Sequence, residues 1–365
     1  MIYLKSFIVA LLKIILVKPY NIFSILKDLL NPLFYSAKLR TIKKINGNLS
    51  FSSNVRAIFV IYQDKEIPFY IDNVLNVLKK LKVNCTINLN EGVCDIITNK
   101  LKEQCDLIIV RKNFGRDFAP YKDTILQTNL ETLDKLIILN DSMFYFEKNL
   151  TKVFEQLLDK NHDVVSLTEN IYDKKWHLQS FLLSLDKKVL LNENFIKFWT
   201  GYKCFNNRQH NINKGEILFS QKVLKKYYKN TKILYSLYDF IISVEQKSEQ
   251  DLDLFFKLLP HSKLKNRKNS NYIYQNKKNI LLDIVEKTNI THSGAFIMPL
   301  LYNNAIIKKD IVYKNTFILS EALNGFISVG ISQTESLQAY EDIKIRGNIN
   351  NYNLLEYLLI LLGAK

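Results

Sequence analysis

Cysteine is scarce in this chain, and its placement builds no framework. Four of 365 residues are cysteines: Cys85, Cys94, Cys105 and Cys204. None stands in a C-x-x-C pair, and the histidines are not at zinc-ligand spacing around them, which excludes zinc modules and redox motifs. Buried free thiols in a reducing cytosol are the expectation. Nucleic-acid signatures are missing as well: there is no zinc-finger spacing, aromatic ribonucleoprotein motif or Gly-Arg repeat. Nucleic acid is therefore not an expected partner, although the net charge is +16. No internal repeat and no heptad array occurs, which removes solenoids and coiled coils. No long polar tract occurs either, and a hydrophobic content of 47% excludes disorder. No uncharged apolar run reaches the roughly 20 residues of a spanning helix. No small-residue cleavage site follows the apolar start, so no signal peptide is expected.

What remains is a chain large enough for about two domains. Much of the positive charge is lysine in a Lys-, Asn- and Ile-rich composition, and it suits anionic head groups or phosphates. Met1–Tyr20 is apolar with Lys5, Lys13 and Lys18 set into it, and apolar positions recur through Asn31–Phe34 between Lys27, Lys38 and Arg40. This pattern fits an amphipathic segment on an anionic membrane surface. The competing reading is a helix packed on the protein's own core or on a partner subunit.

Thr41–Asn54 is polar and reads as a linker. Short apolar strands then alternate with helical spacings from Ala57 to Leu167, which predicts a mostly parallel sheet flanked by helices. A helical C-terminal region follows, after an exposed connection over Leu258–Asn279, and Leu354–Leu362 is strongly apolar. The expected division is residues 1–50 for the amphipathic segment, 54–256 for the α/β domain and 257–365 for the helical region.

Two segments carry the chemistry. Leu107–Val110 runs into Arg111, Lys112, Asn113, Gly115, Arg116 and Asp117. Leu136–Leu139 runs into Asn140, Asp141 and Ser142. Read as adjacent parallel strands, they end in the crevice where open α/β sheets bind ligands, and the polar ends point to a phosphorylated one. The bland alternative is that these residues are caps and turns.

The motifs NFGRDFAPY (Asn113–Tyr121), LIILNDSMFY (Leu136–Tyr145), VSLTEN (Val165–Asn170) and HLQSFLL (His177–Leu183) occur in this order. Phe198–Trp199 and the segment Thr291–Tyr313 follow them. This series resembles the rhamnan synthesis protein F family over roughly Arg56–Asn315. The resemblance implies a bacterial glycosyltransferase of GT-A-like fold that builds cell-wall or lipopolysaccharide polymers, with rhamnose as the sugar. A nucleotide-sugar donor, a lipid-linked glycan acceptor and the cytoplasmic face of the membrane follow from it. On that reading Asp141 holds Mg2+ or Mn2+ or the sugar, with Asn140 and Ser142 as hydrogen-bond donors. Arg111, Lys112 and Arg116 neutralise the departing diphosphate, and Asn113, Gly115 and Asp117 complete the donor pocket. His177 and Glu216 are rival bases, with Glu216 near the start of a helix over Ile217–Tyr228. Gln179 accompanies His177, and His292 closes the site from the C-terminal region. Two rivals stand beside this reading: a transferase for another sugar or a phosphoalcohol, and a non-catalytic assembly protein that anchors a glycan-synthesis complex to the membrane.

Overall fold

The computed structural model describes residues 8–29, 40–63, 66–172, 174–264, 277–286, 289–312, 316–346 and 353–362. The expectations for Lys5, Asn31–Phe34 and Lys38, and for much of the connection after Leu258, lie outside the described residues.

The strands are β1 (Thr41–Asn46), β2 (Val55–Ile61), β3 (Asn84–Asn90), β4 (Leu107–Arg111), β5 (Lys135–Asn140), β6 (Met143–Tyr145), β7 (Val164–Tyr172), β8 (Lys175–Leu178), β9 (Leu182–Asp186), β10 (Thr231–Tyr235) and β11 (Ile306–Lys308). The main sheet has the order β1-β4-β3-β2-β5-β9-β7-β10, with β8 added to β7. Strands β4, β3, β2 and β5 are mutually parallel, as are β7 and β10. Strand β9 runs antiparallel between β5 and β7. A mostly parallel sheet is the predicted class, and it is observed.

Along β2 the side chains alternate between two cores. Ala57, Phe59 and Ile61 enter one, and Ile58 and Val60 enter the other. Both faces of the strand are thus covered, which is why its sequence reads as a continuous apolar run. The first core also takes in Ile284, Phe296, Phe326 and Ile343. The C-terminal helices therefore pack onto one face of the sheet.

Three expectations are corrected. Thr41–Asn46 is not linker but β1, an antiparallel edge strand on β4; its exposed Lys43 and Lys44 hide the strand pattern and blunt the edge. Strands β4 and β5 are not adjacent, because β3 and β2 lie between them. The helix expected over Ile217–Tyr228 belongs to helical chain that begins earlier, at Arg208, and runs through a π turn at Asn211–Ile217. Of the cysteines, Cys85, Cys105 and Cys204 are buried and Cys94 is exposed. Burial pushes the Cys105 thiol up to about 12 and Cys204 to about 11, so neither is a reactive thiolate.

At the N-terminus one helix runs Ile8–Leu29. It is 22 residues long, its most apolar 18-residue stretch has mean hydropathy 1.8, and none of that stretch is buried. At about 33 Å it is long enough to cross a membrane, despite the lysines that break the uncharged run. Pro19 cannot donate and crowds the carbonyl four residues earlier, and a wider π turn, Lys13–Val17, sits just before it. Asn21 accepts from the Asn207 amide at 2.8 Å, and Asp28 accepts from the backbone N–H of Asn206 at 2.7 Å. The opposite side of the helix leaves Ile22, Phe23 and Leu26 exposed.

Candidate active site

The sheet order reverses at β2. The chain proceeds outward to β3 and β4 on one side and returns to place β5 on the other. A crevice opens beyond the carboxyl ends of strands at such a switch point. Here it is a cavity of about 610 Å3, lined by Tyr62 after β2 and by Asn140, Asp141 and Ser142 after β5.

Nine of the sequence-predicted residues line this one cavity: Arg116, Asp117, Asn140, Asp141, Ser142, His177, Gln179, Glu216 and His292. Three do not. Arg111 is buried and donates to Asp123 Oδ2 at 3.0 Å and to the Phe114 carbonyl at 3.1 Å. Asp123 also binds Arg40, so Arg111 belongs to a buried structural triad and not to a diphosphate pocket. Asn113 is exposed outside the cavity, as is Lys112. Gly115 acts through its backbone. It has φ +79°, and a Cβ there would stand 2.4 Å from Ala119 Cβ. Arg116 follows with φ +49°. Two consecutive left-handed residues turn the chain sharply, and the loop after β4 thereby comes back toward the β2–β5 crevice.

Asn206 holds this turn. Its side-chain oxygen accepts from Gly115 N at 2.8 Å, and its carbonyl accepts from Arg116 Nε at 3.2 Å. The same residue donates its N–H to Asp28 of the N-terminal helix.

Asp117 occupies the N-cap position of helix Phe118–Ile125 but makes no capping bond. Burial is the main reason its carboxyl is pushed up to about 6; Arg116 and the Tyr62 hydroxyl pull it down, while the charges of Asp141 and Glu216 add to the rise. Asn140, by contrast, does make the expected local turn: its Oδ1 accepts from Ser142 N at 3.1 Å and from the Ser142 hydroxyl.

Glu216 is not at a helix start. It lies late in a π-helical turn, Asn211–Ile217, inside helical chain that begins at Arg208. Its Oε1 accepts from Ser180 N at 3.2 Å and from the Ser180 hydroxyl at 2.8 Å, so serine rather than a helix dipole holds the carboxylate. His177 is almost fully buried on β8 with Nδ1 3.3 Å from the Lys175 carbonyl. Gln179 is 7% exposed, and its Oε1 has no hydrogen-bond partner among the described residues. A buried, unsatisfied amide oxygen on a cavity wall is a site for a ligand donor.

Sequence reading missed Arg208, Lys308, Lys309 and Asp310, all on the cavity wall. Strand β11 pairs with β6, which carries the segment after it to the crevice. Lys309 N donates to the Ser142 carbonyl at 3.1 Å. Lys309 Nζ donates to the Tyr70 hydroxyl at 3.1 Å and stands 3.7 Å from Asp141 Oδ2. Asp310 lies 3.0 Å from His292 Nε2. Arg208 is half-buried, and its pKa is lowered by burial and by the like charge of Arg116, with Asp310 and Glu216 opposing. The signal for Lys308–Asp310 was the Lys-rich end of the Thr291–Tyr313 segment. Arg208, alone in an Asn-rich loop, left no comparable pattern.

The residues around Asp141 do not fit the expected divalent ion. Its Oδ2 accepts from Tyr62 N at 3.2 Å and from Gln63 Nε2 at 2.6 Å, with the Lys309 ammonium as its next neighbour. Among the described residues no three His, Cys, Asp or Glu side chains gather as a metal cluster. Ammonium and guanidinium groups supply the positive charge at this wall.

The fold and cavity define an α/β protein with a mixed-charge polar site at the switch point of its sheet. Residues 85–238 match the family described as Rhamnan synthesis protein F, the family the sequence motifs resemble. A curated relative, the uncharacterized protein y4gN of Sinorhizobium fredii, is 28% identical over 166 residues, 44% of this chain and 43% of its own length. The chain thus spans less than half of that relative. Among solved structures, the glycosyltransferase GlyE of Streptococcus pneumoniae aligns with 80% of this chain and 64% of its own, at 14% identity and TM-score 0.36. The 4-diphosphocytidyl-2C-methyl-D-erythritol synthase of Anaerococcus prevotii aligns with 49% of this chain and 86% of its own, at 13% identity and TM-score 0.32.

Proposed function

We propose that this protein is a glycosyltransferase of GT-A-like architecture. It moves a sugar from a nucleotide-sugar donor to a growing cell-surface polysaccharide or lipopolysaccharide acceptor at the cytoplasmic face of the membrane. Rhamnose is the sugar the family's description suggests. The observation that carries this reading is the meeting, in one switch-point cavity, of four cations (Arg116, Arg208, Lys308 and Lys309) with an uncapped carboxyl whose pKa lies at about 6.

The cations match the charge that develops on a departing diphosphate. Arg116 and Arg208 repel one another, so an anion between them removes a standing cost. The Lys309 ammonium, 3.7 Å from Asp141 Oδ2, supplies positive charge beside the carboxylate the resemblance assigned to a metal. Asp117 titrates near the working pH and is our candidate for the base that takes the acceptor proton, in preference to Glu216 and His177. Glu216, fixed by Ser180, and Gln179, with its unfilled oxygen, suit sugar hydroxyls.

The test is thermal stabilisation by a panel of nucleoside diphosphates and nucleotide sugars, with EDTA or with Mn2+, for wild type and Arg208→Gln. A ligand of the folded state must raise its melting temperature. We expect one nucleotide class to stabilise wild type equally in EDTA and Mn2+, and the shift to be mostly lost in Arg208→Gln. No shift with any nucleotide would move the weight to the non-catalytic assembly protein. A shift seen only with Mn2+ would restore the metal to Asp141.

A further inference from the structure

A second cleft, of about 520 Å3, lies on the other side of the helical stretch that carries Arg208 and Glu216. Arg208, Ile212 and Glu216 line the active-site cavity, whereas His210, Lys214, Leu218 and Lys222 line the cleft. Its facing wall is helix Glu193–Gly201 and the residues after it, through Asn194, Lys197, Phe198, Tyr202 and Lys203.

The floor is apolar. The Phe198 and Tyr202 rings pack at 5.7 Å, the Tyr202 and His210 rings at 5.8 Å, and Leu218 completes the surface. The rim is positive. Lys197, Lys203, Lys214 and Lys222 surround the floor, and no carboxylate lines it. Glu193 pairs with Lys197 from outside the lining; among the described residues Lys203, Lys214 and Lys222 have no acidic partner. An apolar floor with a cationic rim is complementary to an amphiphile with an anionic head. It is a poor match for a free sugar or for a neutral peptide.

Position selects among amphiphiles. The loop between Lys203 and His210 receives the N-terminal helix, through Asn206 to Asp28 and Asn207 to Asn21. That helix exposes Ile22, Phe23 and Leu26, an apolar face suited to lipid. The cleft therefore lies beside the helix's own docking point. We propose that it is a binding site for an anionic phospholipid of the membrane surface, with the phosphate among Lys203, Lys214 and Lys222 and the start of an acyl chain on the Phe198–Tyr202–Leu218 floor.

Gly201 provides a clean test. It lines the cleft, and a Cβ added there meets nothing within 4 Å, so Gly201→Phe places a ring at the cleft from an open position, and its melting temperature checks that the fold is kept. The full chain, in neutral-detergent micelles, is titrated calorimetrically with short-chain phosphatidylglycerol, with phosphatidylcholine and with inorganic phosphate. Saturable binding of phosphatidylglycerol alone is expected. Lys214→Gln with Lys222→Gln should weaken it by roughly 25-fold, about fivefold for each lysine near an anionic surface, and Gly201→Phe should remove it while leaving every lysine in place. Equal binding by Gly201→Phe and wild type would overturn the proposal, since a diffuse basic surface does not need the cleft. Equal binding of inorganic phosphate would overturn it in favour of a free anion. Nucleotide stabilisation at the other cavity is unchanged in either case, because the two linings share no residue, so this proposal and the glycosyltransferase reading fail separately.

Discussion

Asp117 concentrates the electrostatic cost of the site in one group. Its carboxyl is raised from 3.8 to about 6, first by burial, against the pull of Arg116 and with the push of Asp141 and Glu216. The folded state therefore prefers the protonated form. By linkage, the group is neutral in both states and costs nothing well below pH 3.8. As pH rises through about 6 the folded protein must carry a charge that the unfolded chain carries more easily, and stability falls. Asp117→Asn keeps the shape and removes the charge. It should stabilise the protein at pH 7.5 by about 1–2 kcal/mol, after discounting for the water that reaches a half-buried group, and should make a much smaller difference at pH 4. The same variant should lose sugar transfer, whose wild-type rate should rise with pH through about 6. Paired melts at the two pH values and a pH–rate profile check both halves. A variant less stable than wild type at pH 7.5 would show that the carboxylate is structural.

At the scale of elements, Asn206 joins three of them. Its N–H reaches Asp28 on the N-terminal helix, its side chain takes the Gly115 N–H, and its carbonyl takes Arg116 Nε. Asn206→Ala removes only the side-chain bond, worth about 1–1.5 kcal/mol. Nucleoside diphosphate affinity should fall about tenfold and the melting temperature by a few degrees, and Asn206→Asp, which keeps an acceptor there, should recover most of both. Calorimetric titration of the three forms decides the matter, and an unchanged affinity would disconnect Asn206 from the site. None of this linkage was readable in the sequence, because Asn206 and Gly115 are far apart along the chain and nothing periodic relates them. What was readable followed from local pattern. Strands β2 to β5 and their intervening helices stood out as apolar runs between polar ends, and nine cavity residues were named from those ends and from the later motifs. Order was not readable: β4 and β5 looked adjacent because both end in polar clusters, and only non-local pairing puts β3 and β2 between them. Edge strand β1 was hidden by Lys43 and Lys44, and Glu216 was misplaced because a π turn continues a helix past its apparent start.

At the scale of the molecule, the question is how the N-terminal helix meets the bilayer. It is long and apolar enough to span, yet its second half is not free to do so in an ordinary way. Asn21 and Asp28 are fixed to the Asn206–Asn207 loop, and Lys18 and Lys27 flank the same half. A spanning helix would need to detach Asp28 from its partner or draw this loop toward the lipid core, and a carboxylate there is costly. A helix lying in the interface keeps both contacts, turns Ile22, Phe23 and Leu26 to the acyl chains, and lets the lysines reach the head groups. We therefore expect peripheral behaviour of a mixed kind. The protein should remain with anionic vesicles through 0.5 M salt, because salt screens only the lysine contribution, and should be released by alkaline carbonate. Release by salt alone would mean that the exposed leucine, isoleucine and phenylalanine side chains do not enter the bilayer. Retention through carbonate would mean that the helix spans, and that the Asp28–Asn206 contact, with the hold it gives on the Gly115–Arg116 turn, is broken whenever the protein is on the membrane.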